Sequence, residues 1–99
     1  MIIVTAALLA KEDKINEIKE LAEDLILKSR EHEGNITYNL YEDVLDKSLT
    51  FIEKWESKEA LENHMKTDEF IAFAGNVKEY LKEELKVDIF HGELIVNNE

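Results

Sequence analysis

Hydrophobic residues change their period several times along the chain, and each change marks a new element. The run "IIVTAALL" at 2–9 is continuously apolar, which is typical of a strand covered on both faces. From Lys11 apolar residues recur at helical spacing, which predicts an amphipathic helix that ends near Gly34. Alternation then predicts a strand at 36–42, a polar turn "DVLDKS" and a strand at 49–56, paired as a hairpin.

Two further helices and a last strand are predicted in the second half of the chain. Ser57 is a candidate N-cap for a short helix, and Thr67 or Asp68 is a candidate cap for a longer one. The longer helix is predicted to carry one apolar stripe, formed by Phe70, Phe73, Ala74, Val77, Leu81 and Leu85. The segment "KVDIFHGELIV" at 86–96 predicts a final strand, with Gly92 as a bulge or a point of close approach.

This order of elements predicts an α+β fold of the ferredoxin-like, split-βαβ kind, with helices on one face of an antiparallel sheet. The 99 residues suit one such domain, spanning 1–99. Phe51 and Trp55 share one strand face while Ile52 lies on the other, so both faces of the sheet carry large apolar residues. A monomer would leave one of these faces in water. We therefore expect a homodimer in which two sheets meet face to face, with a cavity between each sheet and its helices.

Composition and charge narrow the range of partners. A formal net charge of −11 without a basic stripe disfavours nucleic acid. The chain has no cysteine, no apolar run of membrane-spanning length and no basic signal-peptide start, so we expect a soluble, cytoplasmic protein without a membrane partner. It also lacks a glycine-rich phosphate loop and a ligand cluster at metal spacing, so the sequence carries no cofactor fingerprint.

The stretch "FIEKWESKEALENHMKTDEF" at 51–70 contains the only Trp and one of the three His residues. Together with the hairpin start "EGNITYNLYED", it resembles the antibiotic biosynthesis monooxygenase (ABM) family, and its quinol monooxygenase-like branch in particular. The spacing that carries the resemblance is formed by Glu53, Trp55, Ser57, Ala60, Leu61 and His64. In element order the resemblance covers nearly the whole chain.

The resemblance implies a dimeric α/β barrel that acts on small aromatic or quinol-like molecules. Active members of the family oxygenate an electron-rich phenolic ring with O2, without metal or flavin. The deprotonated quinol itself reduces O2, so the protein has to supply a dry pocket, orientation and a proton acceptor. By this resemblance the chain is a cofactor-independent monooxygenase of a small quinol or polyphenol, with His64 as base or hydrogen-bond donor.

Seven further residues are candidates for contact with the substrate: Trp55, Tyr38, Asn39, Tyr41, Phe51, Leu61 and Phe73. Trp55 is also a natural core residue, and His64 also fits a satisfied core or interface histidine. Tyr38 and Asn39 lie on opposite strand faces, so only one parity of this strand reaches the pocket. His32, at a helix end, is interpreted as structural.

The sequence departs from two branches of the family. Antibiotic-pathway members have an Asn and a Tyr where this chain has Phe51 and Leu61. Haem-degrading relatives have a Trp at the position of His64 and their iron-ligating His at the position of Ala74, so haem degradation is not expected.

Two other functions fit the same fold, because a fold does not determine a function. One is a non-catalytic dimeric module that binds a small aromatic molecule. The other is an isomerase-type enzyme that acts on a small oxygenated metabolite. O2-dependent turnover of a quinol separates the monooxygenase from the binding module.

Overall fold

The computed structural model describes residues 1–97, which form one four-stranded sheet with helices on one of its faces. The elements in chain order are β1 (Ile2–Leu8), α1 (Ile15–Ser29), β2 (Asn35–Glu42), β3 (Leu49–Trp55), α2 (Lys58–Met65), α3 (Asp68–Val77), a 3-10 helix (Lys78–Tyr80) and β4 (Lys86–His91). All strand pairs are antiparallel, in the order β2-β3-β1-β4. This is the predicted α+β, ferredoxin-like fold. None of the helices in this range is both long enough and apolar enough to cross a membrane.

The interruption between α2 and α3 follows from two side-chain caps. The Ser57 hydroxyl accepts from the backbone N–H of Ala60 at 3.1 Å, and the Thr67 hydroxyl accepts from Phe70 at 3.3 Å. The Thr67 hydroxyl also donates to the carbonyl of His64 at 2.7 Å, which holds the end of α2 against the start of α3. Both predicted caps are confirmed, and Thr67 rather than Asp68 is the second one.

The prediction that the long helix extends to Leu85 is wrong. Helix α3 ends at Val77, and Leu81 instead forms an antiparallel bridge with Ala10. A continuing helix would carry the chain away from β1, whereas the bridge brings it back to the end of that strand, beside which β4 then pairs. Leu81 still reaches the core, but it does so from an extended segment.

The last strand is shorter than the predicted 86–96. It ends at His91, which pairs with Ile2, the first residue of β1. Gly92 still exchanges two backbone hydrogen bonds of 2.9 Å with Met1, and within residues 1–97 no strand is assigned after it. A Cβ atom on Gly92 would lie 2.9 Å from the Cδ1 atom of Ile3, so the predicted close approach at this glycine is confirmed.

The hydrophobic core lies between the helices and one face of the sheet. Antiparallel partners point to the same side of a sheet, so the register defines this face. Its buried strand residues are Val4, Ala6, Leu8, Tyr38, Leu49, Phe51, Glu53 and Trp55. The helices contribute Ile18, Ala22 and Leu25 of α1, Leu61 of α2, and Phe73 and Val77 of α3.

The opposite face of the sheet is uncovered and partly apolar. The register places Ile3, Tyr41, Ile52 and Phe90 on it. Phe90 is 51% exposed and Ile52 is 36% exposed. The second apolar face inferred from strand parity is therefore present, and its burial in a homodimer stays a prediction.

Candidate active site

A cavity of about 100 Å³ lies between the helix-bearing face of the sheet and helices α2 and α3. Its wall is mainly apolar, with Phe51 and Phe73 among the contributors. Three lining residues carry polar groups, namely Tyr38, Glu53 and His64. A few converging polar groups in an apolar wall are typical of small-molecule sites.

The rim of this cavity includes partly exposed apolar side chains on the β4 side. Val87 and Ile89 pair with Ala6 and Val4, so they lie on the same side of the sheet as the core. More than half of the surface of each residue remains exposed, as neither is covered by a helix. The cavity therefore continues into an apolar rim at the edge strand.

His64 is the most enclosed polar residue of the cavity. It lies at the end of α2, is 1% exposed, and its ring centroid is 4.6 Å from that of Trp55 and 5.0 Å from that of Phe70. Burial, reinforced by the neighbouring His32, lowers the pKa of His64 to about 4. The imidazole is therefore neutral at physiological pH.

A line of hydrogen bonds connects His64 to the surface. Its Nδ1 atom lies 2.9 Å from Nδ1 of His32, and Nε2 of His32 lies 2.7 Å from Oε2 of Glu69. The bond from His32 is the main cause that lowers the pKa of Glu69. Nε2 of His64 is buried and has no hydrogen-bond partner within residues 1–97. Over the same range, no three His, Cys, Asp or Glu side chains converge as metal ligands would.

A tight contact between the loop after α1 and helix α2 brings the two histidines together. Gly34 has a φ of 81°, and a Cβ atom there would lie 2.5 Å from Cβ of Ala60. The carbonyl of Gly34 also accepts from the N–H of Glu56 at 2.8 Å. Only glycine combines this backbone conformation with so close an approach, and the result places His32 beside His64.

Glu53 is a buried carboxyl group on the cavity wall. It is 5% exposed, and its Oε1 accepts from the indole N–H of Trp55 at 3.0 Å. Burial raises the pKa of Glu53 to about 7, against the lowering effect of the indole hydrogen bond. Burial also raises the pKa of Tyr38, and the charge of Glu53 adds to that effect. The cavity thus combines a carboxyl group that titrates near neutral pH with an imidazole that stays unprotonated there.

Most of the predicted site residues meet at this cavity. Those that line it are His64, Tyr38, Phe51, Leu61 and Phe73. Trp55 is fully buried behind them, where it contacts the His64 ring and Glu53 instead of lining the cavity.

The candidates Asn39 and Tyr41 do not reach this cavity. Tyr38 pairs with Glu53 on the core side, so its neighbours in sequence point to the opposite face. The Asn39 side-chain oxygen accepts from the guanidinium of Arg30 at 2.8 Å. The sequence alone does not decide which face of β2 points to the cavity. In the structure it is the face that carries Tyr38.

The sequence patterns assign no site role to Glu53, His32 or Glu69. The position of Glu53 could have indicated a site role. It lies between Phe51 and Trp55 on the same face of β3, so a charged side chain is placed on the buried side. The position of His32 at a helix end predicts a structural role, and its contact with His64 joins residues 32 positions apart in the chain. No local pattern indicates a contact of that range.

Comparisons of sequence relate the chain to known proteins. The family model described as antibiotic biosynthesis monooxygenase matches residues 1–76. The Bacillus subtilis (strain 168) protein named "Putative monooxygenase YcnE" is 34% identical over 88 residues, which are 88% of this chain and 93% of that protein.

Solved structures share the same fold over nearly the whole chain. Rv0793 from Mycobacterium tuberculosis superposes with a TM-score of 0.91 at 22% identity, covering 97% of this chain and 98% of that one. A conserved protein from Methanosarcina mazei Go1 superposes with a TM-score of 0.89 at 28% identity, covering 93% and 92% of the two chains.

Proposed function

Since the chain belongs to the antibiotic biosynthesis monooxygenase family, we propose that it oxygenates a small quinol-type aromatic with O2 in the cavity beside His64. The observation that carries the proposal is the buried Nε2 atom of His64, which has no hydrogen-bond partner among residues 1–97 and lies in a mainly apolar wall. A base in such a site acts on a bound hydroxyl group from which bulk water is excluded.

The proposed reaction starts with transfer of a quinol hydroxyl proton to Nε2 of His64. The resulting anion gives one electron to O2, and superoxide and the ring radical combine at a ring carbon that carries hydrogen. The peroxide anion formed by this C–O bond regains the proton from His64. Loss of the hydrogen on that carbon and cleavage of the O–O bond release water and leave a hydroxyquinone. Four electrons leave the quinol and four reduce O2, so no other reductant is needed.

Aromatic walls suit a flat substrate. Phe51 and Phe73 meet edge to face, with ring centroids 5.6 Å apart at 89°. The enclosed volume of about 100 Å³ is small beside common ligand sites of roughly 300–1,000 Å³. In the proposal the reacting ring therefore enters beside His64, and the rest of the substrate lies along the apolar rim at Val87 and Ile89.

Oxygen consumption with a panel of small quinols tests this proposal. We expect the purified protein to consume O2 above the rate of autoxidation, and His64→Ala to lower kcat/KM by about 100-fold or more. His91→Ala is the matched control, since His91 is an exposed histidine outside the cavity. Wild-type consumption at the autoxidation rate would contradict the proposal, and quinol binding without turnover would favour a binding module.

The environments of Glu53 and His64 favour a second candidate, an isomerase that moves a proton within a small carbonyl compound. Their pKa values of about 7 and about 4 reverse the usual order of carboxyl and imidazole groups. Two such groups in one cavity form an acid and base pair. Exchange of substrate hydrogen for deuterium in D2O without O2 would support this function, whereas strict dependence on O2 would reject it.

A further inference from the structure

Only one hydrogen atom fits between the Nδ1 atoms of His32 and His64, which are 2.9 Å apart. One of these rings must donate and the other must accept. On the far side of His32, Nε2 lies 2.7 Å from a carboxylate oxygen of Glu69, a distance typical of a charge-assisted hydrogen bond. An ionised carboxylate can only accept, so Nε2 of His32 carries a hydrogen.

These constraints determine the tautomer of His64. A neutral His32 with its hydrogen on Nε2 has a lone pair on Nδ1, so it accepts a hydrogen bond from Nδ1 of His64. His64 then has its lone pair on Nε2, the buried atom without a partner in residues 1–97. When His32 is a cation, its Nδ1 donates instead, and Nε2 of His64 carries a hydrogen.

We propose that His32 and Glu69 are positioning residues that set His64 as a base and take over the positive charge when it accepts a proton. The identity of the proton donor rests on the function proposed above. As a proton arrives at Nε2 of His64, the hydrogen on its Nδ1 moves to Nδ1 of His32. The cation is then His32, hydrogen-bonded to the Glu69 carboxylate, and reversal of both transfers returns the proton.

The surroundings of the three residues favour a positive charge on His32, beside the Glu69 carboxylate, over a positive charge on His64. His64 is 1% exposed, whereas the side chains of His32 and Glu69 are 16% and 25% exposed. Burial lowers the pKa of His64 to about 4, so that ring is a poor site for a lasting positive charge. The other titratable groups near these three residues are Glu53 and Tyr38 in the sheet, together with Lys28 of α1, whose charge helps to lower the pKa of Glu69.

Nitrogen-15 NMR of the imidazole rings tests the tautomer without substrate. At about pH 8, well above an ordinary histidine pKa, we expect wild-type His64 to carry its hydrogen on Nδ1. His32→Phe keeps a ring but removes the accepting nitrogen, so the Nε2–H form should increase severalfold. His91→Phe should leave His64 unchanged. An Nε2–H tautomer in the wild type at that pH would overturn the proposal.

Acid titration of the same labelled protein tests the proton transfer. As the histidine pair takes up its first proton, the hydrogen on His64 should move from Nδ1 to Nε2 while His32 becomes the cation. A first proton that leaves His64 protonated on both nitrogens would overturn the transfer. This readout depends on neither a quinol nor O2.

Glu69→Gln tests the carboxylate in the oxygen assay, since it keeps an accepting oxygen but removes the charge. We expect kcat to fall about tenfold or more with KM unchanged, whereas Asp68→Asn, which removes the charge of the adjacent residue, keeps the wild-type rate. Unchanged kcat in Glu69→Gln would overturn the transfer and leave the monooxygenase function standing. Background rates in the wild type would reject that function, and the NMR titration would then decide the transfer alone.

Discussion

The indole N–H of Trp55 donates to the carboxyl group of Glu53 at 3.0 Å inside the core. The two residues are two positions apart on β3, so both side chains point to the same face of the sheet. Trp55 thereby gives the buried carboxyl group a partner, but a single neutral donor does not offset the loss of water around a charge. The result is a pKa of about 7 for Glu53, beside a histidine whose pKa is about 4.

Glu53 and His64 make the free energy of unfolding depend on pH in opposite directions. Glu53 has a pKa raised from 4.5 to about 7, so its contribution is fully present below 4.5 and is lost as the pH rises through 7. His64 has a pKa lowered from 6.5 to about 4, so its contribution is present above 6.5 and is lost as the pH falls through 4. Each contribution is about 3 kcal/mol, and the two nearly cancel between these limits.

Glu53→Gln should reveal the pH dependence of the free energy of unfolding that His64 causes. Gln still accepts from the Trp55 indole but has no proton to lose, so the stability of the variant relative to wild type should rise by about 3 kcal/mol between about pH 4.5 and 7. Urea unfolding at a fixed protein concentration measures this difference. Glu56→Gln, at an exposed glutamate just after β3, should show a constant offset. A constant offset for Glu53→Gln as well would contradict the prediction.

His64→Gln should reveal the pH dependence of the free energy of unfolding that Glu53 causes. The unfolded wild type takes up a proton on His64 as the pH falls from 6.5, whereas the folded protein resists it. Removing this group should therefore raise the stability of the variant relative to wild type by about 3 kcal/mol between about pH 6.5 and 4. The same urea series measures it, with His91→Gln as the exposed control. An offset that does not change with pH would show that His64 is not protected from protonation.

Gly34 and Gly75 should respond in opposite ways to replacement by alanine. At Gly34 the positive φ and the 2.5 Å approach to Ala60 predict a loss of about 1–3 kcal/mol. Gly75 lies within α3, where a Cβ atom would meet no neighbouring group of residues 1–97 within 4 Å, so alanine there should add about 0.5–1 kcal/mol through its helix propensity. Denaturant unfolding compares the two. Equal effects would contradict the tight contact between this loop and α2.

The sequence was most informative where local chemistry decides the structure. Ser57 and Thr67 end and begin helices through their own hydroxyl groups, and these caps could be located without a structure. The alternation along β3 likewise placed Phe51 and Trp55 on one strand face and Ile52 on the other, as the structure has them. Such features depend on residues within one or two turns of each other.

Features that depend on a distant partner could not be located in this way. β4 ends at His91 because β1 begins at Ile2, and nothing in the apolar run after His91 indicates that limit. The pairing of His32 with His64 depends on the loop at Gly34, whose approach to α2 is a property of the complete fold. The sequence therefore predicts the apolar wall of the candidate site and His64, but not the hydrogen bonds that join His64 to His32 and Glu69.

The uncovered face of the sheet gives a prediction about assembly. Ile52 lies near the centre of this face and Phe90 on its edge strand, and water contact with such a patch is unfavourable. We expect light scattering at micromolar concentration to give the mass of two chains, and Ile52→Lys to give the mass of one. Leu27→Lys, at a 60% exposed position on α1, is the control that should stay dimeric. A monomeric wild type, or a dimeric Ile52→Lys variant, would show that this face is not the interface.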